Sequence, residues 1–170
     1  MPITMEKTLA HMAWANQKVY QACGTLPTEA LESYIVNPEW NVAKMLQHIV
    51  SGADWFVFCL GIADWNDVPT PTSSSEISEL AILLKKLDAQ IFSTFLLEDE
   101  LLTFQENNRE IKVPRSLLLS QAVHHATEHR AQLIDALESR GYSAVNLDSI
   151  DLWGYEYSLN SASALIEEGA

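Results

Sequence analysis

The chain has few basic residues and no long apolar run. Its 170 residues include 10 Lys and Arg against 23 Asp and Glu, which gives a formal net charge of -13. A surface of this sign repels phosphate backbones and anionic lipid headgroups, so we expect no nucleic acid partner. The longest uncharged stretch in the hydrophobic middle, residues 55–63, is far shorter than the roughly 20 residues that cross a bilayer, so we expect no membrane partner either.

We expect neither a disulfide framework nor a secretion signal. Two cysteines, Cys23 and Cys59, are too few to form the several disulfides that stabilise a small disulfide-rich fold. The first residues, MPITMEKTLA, do not combine a basic start with an apolar core. Both features favour a cytoplasmic protein in which the two thiols stay free and packed.

The composition is typical of one globular domain. Hydrophobic residues make up 48% of the chain and charged residues 19%, and no internal repeat divides it. We therefore expect residues 1–170 to form a single domain, with a frayed tail over about the last ten residues.

Apolar residues recur at three- and four-residue spacing in four segments, which predicts four helices. The segments cover residues 4–23, 42–60, 75–95 and 115–140, with Thr4, Asn41 and Ser75 placed to cap the first three. Between the third and fourth helices, two short β-leaning runs flank Asn107-Asn108, which predicts a small hairpin. A four-helix bundle is the simplest all-α fold that buries four such apolar faces.

Three histidines are expected to point into this bundle. His125 and His129 lie four residues apart on the apolar face of the fourth helix, and His48 shares a helical line with Trp55 and Cys59. Burying a polar side chain without a partner costs roughly 1 to 3 kcal/mol. Hydrogen bonds can satisfy a buried pair of histidines such as His125 and His129. Three neutral imidazoles, each with one donor and one acceptor, are more difficult to satisfy with one another. A divalent metal satisfies all three, and three protein ligands leave a coordination position open.

Neighbouring polar residues carry weaker signals. His124 points about 100° away from His125, so we do not expect it to be a ligand. His11 is expected either to support a ligand or to lie at the surface. Glu128 completes an H-x-x-E-H pattern, but no second domain offers a peptide cleft, so a solvated glutamate is the preferred interpretation. The sequence has no glycine-rich phosphate loop, G-x-S-x-G elbow or Cys-x-x-Cys pair, which excludes nucleotide and disulfide-exchange chemistry.

Three segments together resemble the DinB-like (DinB/YfiT) family of metal-dependent enzymes, over roughly residues 4–155. They are HMAWANQKVYQACGTLP in the first helix, NVAKMLQHIVSGADWF in the second and PRSLLLSQAVHHATEHRAQL in the fourth, the last with the family's His-x-x-x-His-Arg-x-Gln motif. Asp54 stands where the family commonly has Glu, and Ala131 stands where it frequently has Gly.

The resemblance implies a four-helix bundle in an up-down-down-up arrangement and, in many members, a homodimer. It implies a divalent metal held by His48, His125 and His129. Imidazole nitrogen suits zinc, nickel, copper or ferrous iron, and of these we expect zinc or nickel. Arg130 and Gln132 also match the motif, with no chemical role implied. Some relatives look like transferases that move a low-molecular-weight thiol onto a small electrophile, and others are described as hydrolases.

Two functional hypotheses from different classes follow. The first is a cytoplasmic metal-dependent enzyme acting on a small molecule, with water or a thiol in the open position of the ion. The second is a non-catalytic metal-binding bundle with a stress-response or regulatory role. A bundle used for protein association, with hydrogen-bonded histidines and no ion, is a third interpretation.

Overall fold

The computed structural model describes residues 3–143 and 145–168, with side chains through residue 161. Within this part of the chain the protein has five α-helices and one pair of strands. In chain order the elements are α1 (Met5–Cys23), α2 (Val42–Cys59), α3 (Ser74–Phe92), β1 (Leu101–Glu106), β2 (Arg109–Pro114), α4 (Arg115–Glu138) and α5 (Leu152–Glu168), with short 3₁₀ turns at Thr28–Glu32 and Leu147–Ser149.

Side-chain caps fix where the first three helices begin. The Thr4 hydroxyl accepts a hydrogen bond from the Lys7 amide, and the Asn41 side chain does the same for Lys44, as predicted. The predicted Ser75 cap is wrong, because Ser73 caps α3 and Ser75 lies inside the helix. The spacing explains the difference: Ser73 precedes a glutamate by three residues, which is the capping-box pattern.

The apolar stripes predicted for the first four helices form the core. α1 packs against α3 and α4, and α2 also packs against α3 and α4. The side chains that meet between them are buried, and they include Leu9, Met12, Val19, Leu46, Ile49, Val50, Leu80, Leu84, Ile91, Leu118, Leu133 and Leu137. The structure thus confirms a mostly helical protein, while the up-down-down-up order of a four-helix bundle stays a prediction.

The predicted hairpin is an antiparallel pair of strands between α3 and α4. β1 and β2 are in register from Leu101 opposite Pro114 to Glu106 opposite Arg109. Asn107 and Asn108 form the turn with φ values of 49° and 61°, which asparagine tolerates better than most residues. β1 contacts α2, and this contact brings the hairpin against one side of the core.

The fifth helix is the main feature that the sequence analysis missed. α5 packs against α1, where Tyr155 contacts Trp14 with ring centroids 5.4 Å apart and Glu156 forms an ion pair with Lys7. Of the three aromatic residues that begin this acidic C-terminal stretch, Tyr155 packs against α1, whereas Trp153 and Tyr157 are exposed. The predicted frayed tail falls mainly on positions 162–170, whose side chains lie outside the described residues, so it stays a prediction.

Two further expectations can be compared directly with the structure. Cys23 and Cys59 are both free and buried, and burial raises the pKa of each thiol to about 12. Within the described part of the chain, no helix combines the length and apolarity needed to cross a bilayer.

Candidate metal centre

Three histidine rings from two helices converge at the contact between α2 and α4. His48 lies on α2, and His125 and His129 lie one turn apart on α4. One ring nitrogen from each residue can be chosen so that all three lie within 4.8 Å of one another. The Nε2 atoms of His48 and His125 are 3.1 Å apart and share a hydrogen bond. All three side chains are half-buried, so the cluster is reachable from one side.

A glycine on α2 makes room for the His125 ring. Gly52 follows His48 by one helical turn, and the imidazole of His125 lies directly against it. A Cβ at this position would lie 2.9 Å from Nδ1 and 3.0 Å from Nε2 of that ring, closer than real Cβ contacts allow. Any residue other than glycine would therefore displace His125 from the cluster.

Hydrogen bonds fix the orientation and tautomer of His129. The indole Nε1 of Trp40 can only donate, and it lies 3.2 Å from one atom of the Gln132 amide, which must therefore be the oxygen Oε1. The same oxygen is 3.0 Å from Nδ1 of His129, so this nitrogen carries the proton and donates. In the neutral form of His129, the lone pair that could bind a cation is therefore on Nε2.

Aromatic side chains enclose the rest of the cluster. Trp40 contacts His48 and His129 edge-on, with ring centroids 5.0 Å and 5.5 Å apart. Phe56 contacts His125 in the same way at 5.8 Å. These apolar walls limit water around the rings, which strengthens electrostatic interactions there.

Burial keeps two of the imidazoles neutral. Desolvation is the largest cause that lowers the pKa of His125, to about 4, and the neighbouring His129 and His48 lower it further. Desolvation, His129 and Lys44 together lower the pKa of His48. Neutral imidazole is the form that binds metals, so at neutral pH His48 and His125 are in the form that can bind a cation.

A cavity of about 220 Å³ opens beside His48 and His125. The other residues that line it are Ser51, Gly52, Trp55, Phe56 and Trp65. This space is large enough for water or part of a small molecule to approach the ring nitrogens from the side that the helices leave open.

The donor set fits a divalent ion. Zinc binds imidazole nitrogen at about 2.0 to 2.1 Å with tetrahedral geometry, which places two ligand nitrogens about 3.3 Å apart. The 3.1 Å between Nε2 of His48 and Nε2 of His125 is close to this value. Three imidazoles also suit nickel, copper and ferrous iron, so the residues do not select one metal by type.

The other sequence candidates lie elsewhere. His124 and Glu128 are exposed on α4 and do not take part in the cluster. The expectation that His11 supports a ligand or lies at the surface needs correction, because its ring is buried and its Nε2 donates to the Ile150 carbonyl oxygen at 2.8 Å. His11 thus anchors the segment that precedes α5.

Two motif residues acquire structural roles. Arg130 is buried and donates to Asn16 Oδ1 at 2.6 Å, and Asn16 in turn donates to Asp88 Oδ2 at 3.0 Å, so this network ties α4 to α1 and α3. Asp54 is buried and accepts the backbone N–H of Asn66 at 2.6 Å, which holds the loop that carries Trp65.

Sequence reasoning missed the residues that shape the site around the ligands. Gln132 follows His129 by three residues, and Gly52 follows His48 by four, so helical spacing could have placed each beside its histidine. Trp40 and Trp65 lie in connections, where no periodic signal indicates what they contact.

Comparison with known proteins identifies a family and two similar proteins. A family model described as the DinB family matches residues 1–157. Protein DinB of Bacillus subtilis (strain 168) is 26% identical over 154 residues, covering 84% of this chain and 89% of that protein. The crystal structure of a DinB-like protein from Bacillus cereus ATCC 10987 matches with a TM-score of 0.62 at 20% identity, covering 81% of this chain and 91% of that one. At that identity the structural match shows the fold, and the family match confirms the resemblance seen in the sequence.

Proposed function

The chain belongs to the DinB family, and from that premise we propose that it is a metal-dependent enzyme acting on a small molecule. His48, His125 and His129 hold one divalent ion, zinc or nickel, in this proposal. The observation that supports it is the convergence of three imidazoles from two helices within 4.8 Å, beside an accessible cavity. An ion in such a site lowers the pKa of a water or thiol in its open position and so provides a nucleophile near neutral pH.

The surrounding residues supply positioning. The side-chain amide oxygen of Gln132 accepts the hydrogen bond from Nδ1–H of His129, which would leave Nε2 as the nitrogen that holds the ion. Gly52 leaves the space that His125 occupies. Trp40 contacts His48 and His129 but does not line the cavity, and in this proposal substrate approaches along Trp55 and Ser51.

The same proposal includes features that the family implies. They are a cytoplasmic location, an up-down-down-up arrangement of α1 to α4 and a homodimer. The reaction is either transfer of a low-molecular-weight thiol to a small electrophile or hydrolysis. Turnover that requires added thiol identifies the transferase, and turnover with water alone identifies the hydrolase.

Metal titration tests the proposal most directly. Protein purified without an affinity tag, stripped with a chelator and titrated with zinc and then nickel is expected to bind about one ion per chain. His48→Ala and His129→Ala should each abolish tight binding. His124→Ala, at an exposed position on the same helix, is the matched control and should bind as the wild type does. A wild-type protein that takes up no ion would contradict the proposal.

A non-catalytic metal-binding bundle is the second candidate. The observation that favours it is that the ligands bridge α2 and α4, so an ion there would cross-link two core helices. In this case zinc should raise the melting temperature strongly, His48→Ala should remove that gain, and no thiol or water-dependent turnover should accompany it. The third interpretation, an association bundle without an ion, is supported by the hydrogen bond between His48 and His125 and predicts no metal uptake.

A further inference from the structure

A second and larger cavity adjoins the histidine cavity. It has a volume of about 560 Å³ and is lined by Trp55, Phe58, Asp64, Trp65, Gln105, Glu106 and Asn107. Trp55 and Trp65 line both cavities. A molecule held in the larger one therefore lies next to the space that borders His48 and His125.

Aromatic rings form the walls of this second cavity. Trp55 contacts Trp65 at a centroid distance of 5.2 Å and Phe58 at 5.3 Å. Phe104 of β1 supports Trp55 from 5.9 Å, with its ring nearly perpendicular. Trp65 remains 56% exposed, although burial in the core would stabilise so large an apolar ring. Such a group of rings offers several π faces, each of which attracts a cation within about 6 Å.

The rim of the cavity carries negative charge. Asp64 and Glu106 are both exposed there, and neither forms an ion pair with any residue that the structure describes. Arg109 is the cross-strand partner of Glu106 in the hairpin, yet the two side chains do not pair. The net charge of -13 adds a field of the same sign. Anionic ligands are therefore disfavoured at this rim, and cationic ones are attracted to it.

The loop that carries Trp65 is held in place. The buried carboxylate of Asp54 accepts the Asn66 amide, and the Asn66 side chain donates to the Asp64 carbonyl oxygen at 2.8 Å. These bonds fix the residues on both sides of Trp65. The aromatic wall is therefore formed before a ligand binds, which reduces the entropy lost on binding.

We propose that the larger cavity, which Trp55, Phe58 and Trp65 line on one side and Asp64 and Glu106 at the rim, binds an organic cation, such as a trimethylammonium group, and directs the rest of that molecule toward the histidines. A neutral ligand would gain the burial of its apolar surface alone, whereas a cation also gains attraction from the rings and from Asp64 and Glu106. Binding of the cation needs only these side chains. Its assignment as the substrate class rests on the proposed function.

A comparison of two ligands of the same shape tests the charge preference. Calorimetric titration with choline and with its neutral carbon isostere, in which a tert-butyl group replaces the trimethylammonium group, separates charge from size. Choline is expected to bind about tenfold more tightly, a preference that falls as salt is added. Equal affinities for the two ligands, or tighter binding of the isostere, would overturn the proposal.

Matched variants locate the binding. Trp65→Ala should weaken choline binding about tenfold, and Trp65→Phe should restore part of that loss. The control is Trp153→Ala, at a tryptophan on α5 that is 78% exposed, and it should leave choline affinity unchanged. Asp64→Asn should reduce the preference for choline over the isostere, whereas Asp67→Asn, at an exposed acid in the same loop, should not. Equal effects in the Trp65→Ala and Trp153→Ala variants would place the cation elsewhere and overturn the proposal.

Repeating the titration with metal-free and zinc-treated protein separates the two proposals. Choline selectivity in a protein that takes up no ion would overturn the proposed function and support the cation site. One bound ion without choline selectivity would overturn the cation site and leave the proposed function standing. His129→Ala, which removes a proposed ligand that does not line either cavity, should retain choline binding.

Discussion

Two polar clusters meet on α4, where the consecutive residues His129 and Arg130 point into different surroundings. Arg130 is deeply buried, and its hydrogen bonds run through Asn16 to Asp88, so three helices close a continuous network. The histidine cluster is half-buried and directs ring nitrogens at a common point beside a cavity. A buried hydrogen-bond network that links three helices stabilises the fold, whereas a half-buried cluster of ring nitrogens with adjacent space is suited to binding.

Loss of Arg130 should produce the largest effect on stability. Arg130→Ala removes the charged donor that Asn16 accepts from and the cation nearest the buried Asp88 carboxylate, and losing a buried charged hydrogen-bond partner costs up to about 3 kcal/mol of unfolding free energy. Urea denaturation measures this loss. The control is Arg140→Ala, which removes a surface contact over the Tyr34 ring worth about 1 kcal/mol or less. A loss no larger than that of the control would show that the network does not stabilise the fold.

The pH dependence of stability should show a contribution from Asp88. Burial is the main cause that raises its pKa from 3.8 to about 6, and the hydrogen bond from Asn16 and the charge of Arg130 partly oppose the rise. At pH values between 3.8 and about 6, Asp88 keeps its proton in the folded state but has released it in the unfolded state. This group's contribution to stability therefore falls as pH rises from about 4 to about 6, by about 3 kcal/mol in all.

Unfolding measured across that pH range in the Asp88→Asn variant checks this contribution. The variant should lack the fall, because an amide does not titrate. Asp67→Asn, an exposed aspartate in a loop, serves as the control and should keep the slope of the wild type. An unchanged slope in Asp88→Asn would mean that the buried carboxyl does not govern it.

Crowding at Gly52 should weaken the histidine cluster without affecting the Arg130 network. Gly52→Ala forces the His125 ring away from its position, and we expect zinc affinity to fall about 100-fold, as when one ligand is misplaced. The neighbouring Ser51→Ala variant controls for substitution on the same helix. Competition with a coloured chelator measures both affinities, and wild-type affinity in Gly52→Ala would contradict the geometry described here.

The orientation of His129 should give the smallest of these effects. Gln132→Ala removes the acceptor that holds Nδ1–H, and loss of such a partner lowers metal affinity about tenfold. Gln121→Ala, at another exposed position on α4, is the control. If both variants bind zinc equally, the hydrogen bond from His129 does not support the site.

Much of the fold could be predicted because its signals are local. Four apolar stripes, the caps at Thr4 and Asn41 and the Asn107-Asn108 turn each depend on a few consecutive residues, and the structure contains all of them. The missed α5 has no comparable stripe, since aromatic, small and acidic residues alternate in it and its packing on α1 depends on Trp14 and Tyr155. Ser73 rather than Ser75 caps α3 because Ser73 lies three residues before Glu76 and accepts the hydrogen bond from its backbone N–H. A cluster of serines alone does not show which of them is the cap.

The sequence by itself determined that His125 and His129 share one helical face, because backbone hydrogen bonds fix the spacing of residues four apart. It also determined the charge and the apolar stripes. Only the tertiary structure decided that His48, 77 residues before His125, meets that pair, that Gly52 admits the ring and that Trp65 joins Trp55 beside them. Contacts between distant segments depend on how whole surfaces pack together, and no local pattern encodes that fit.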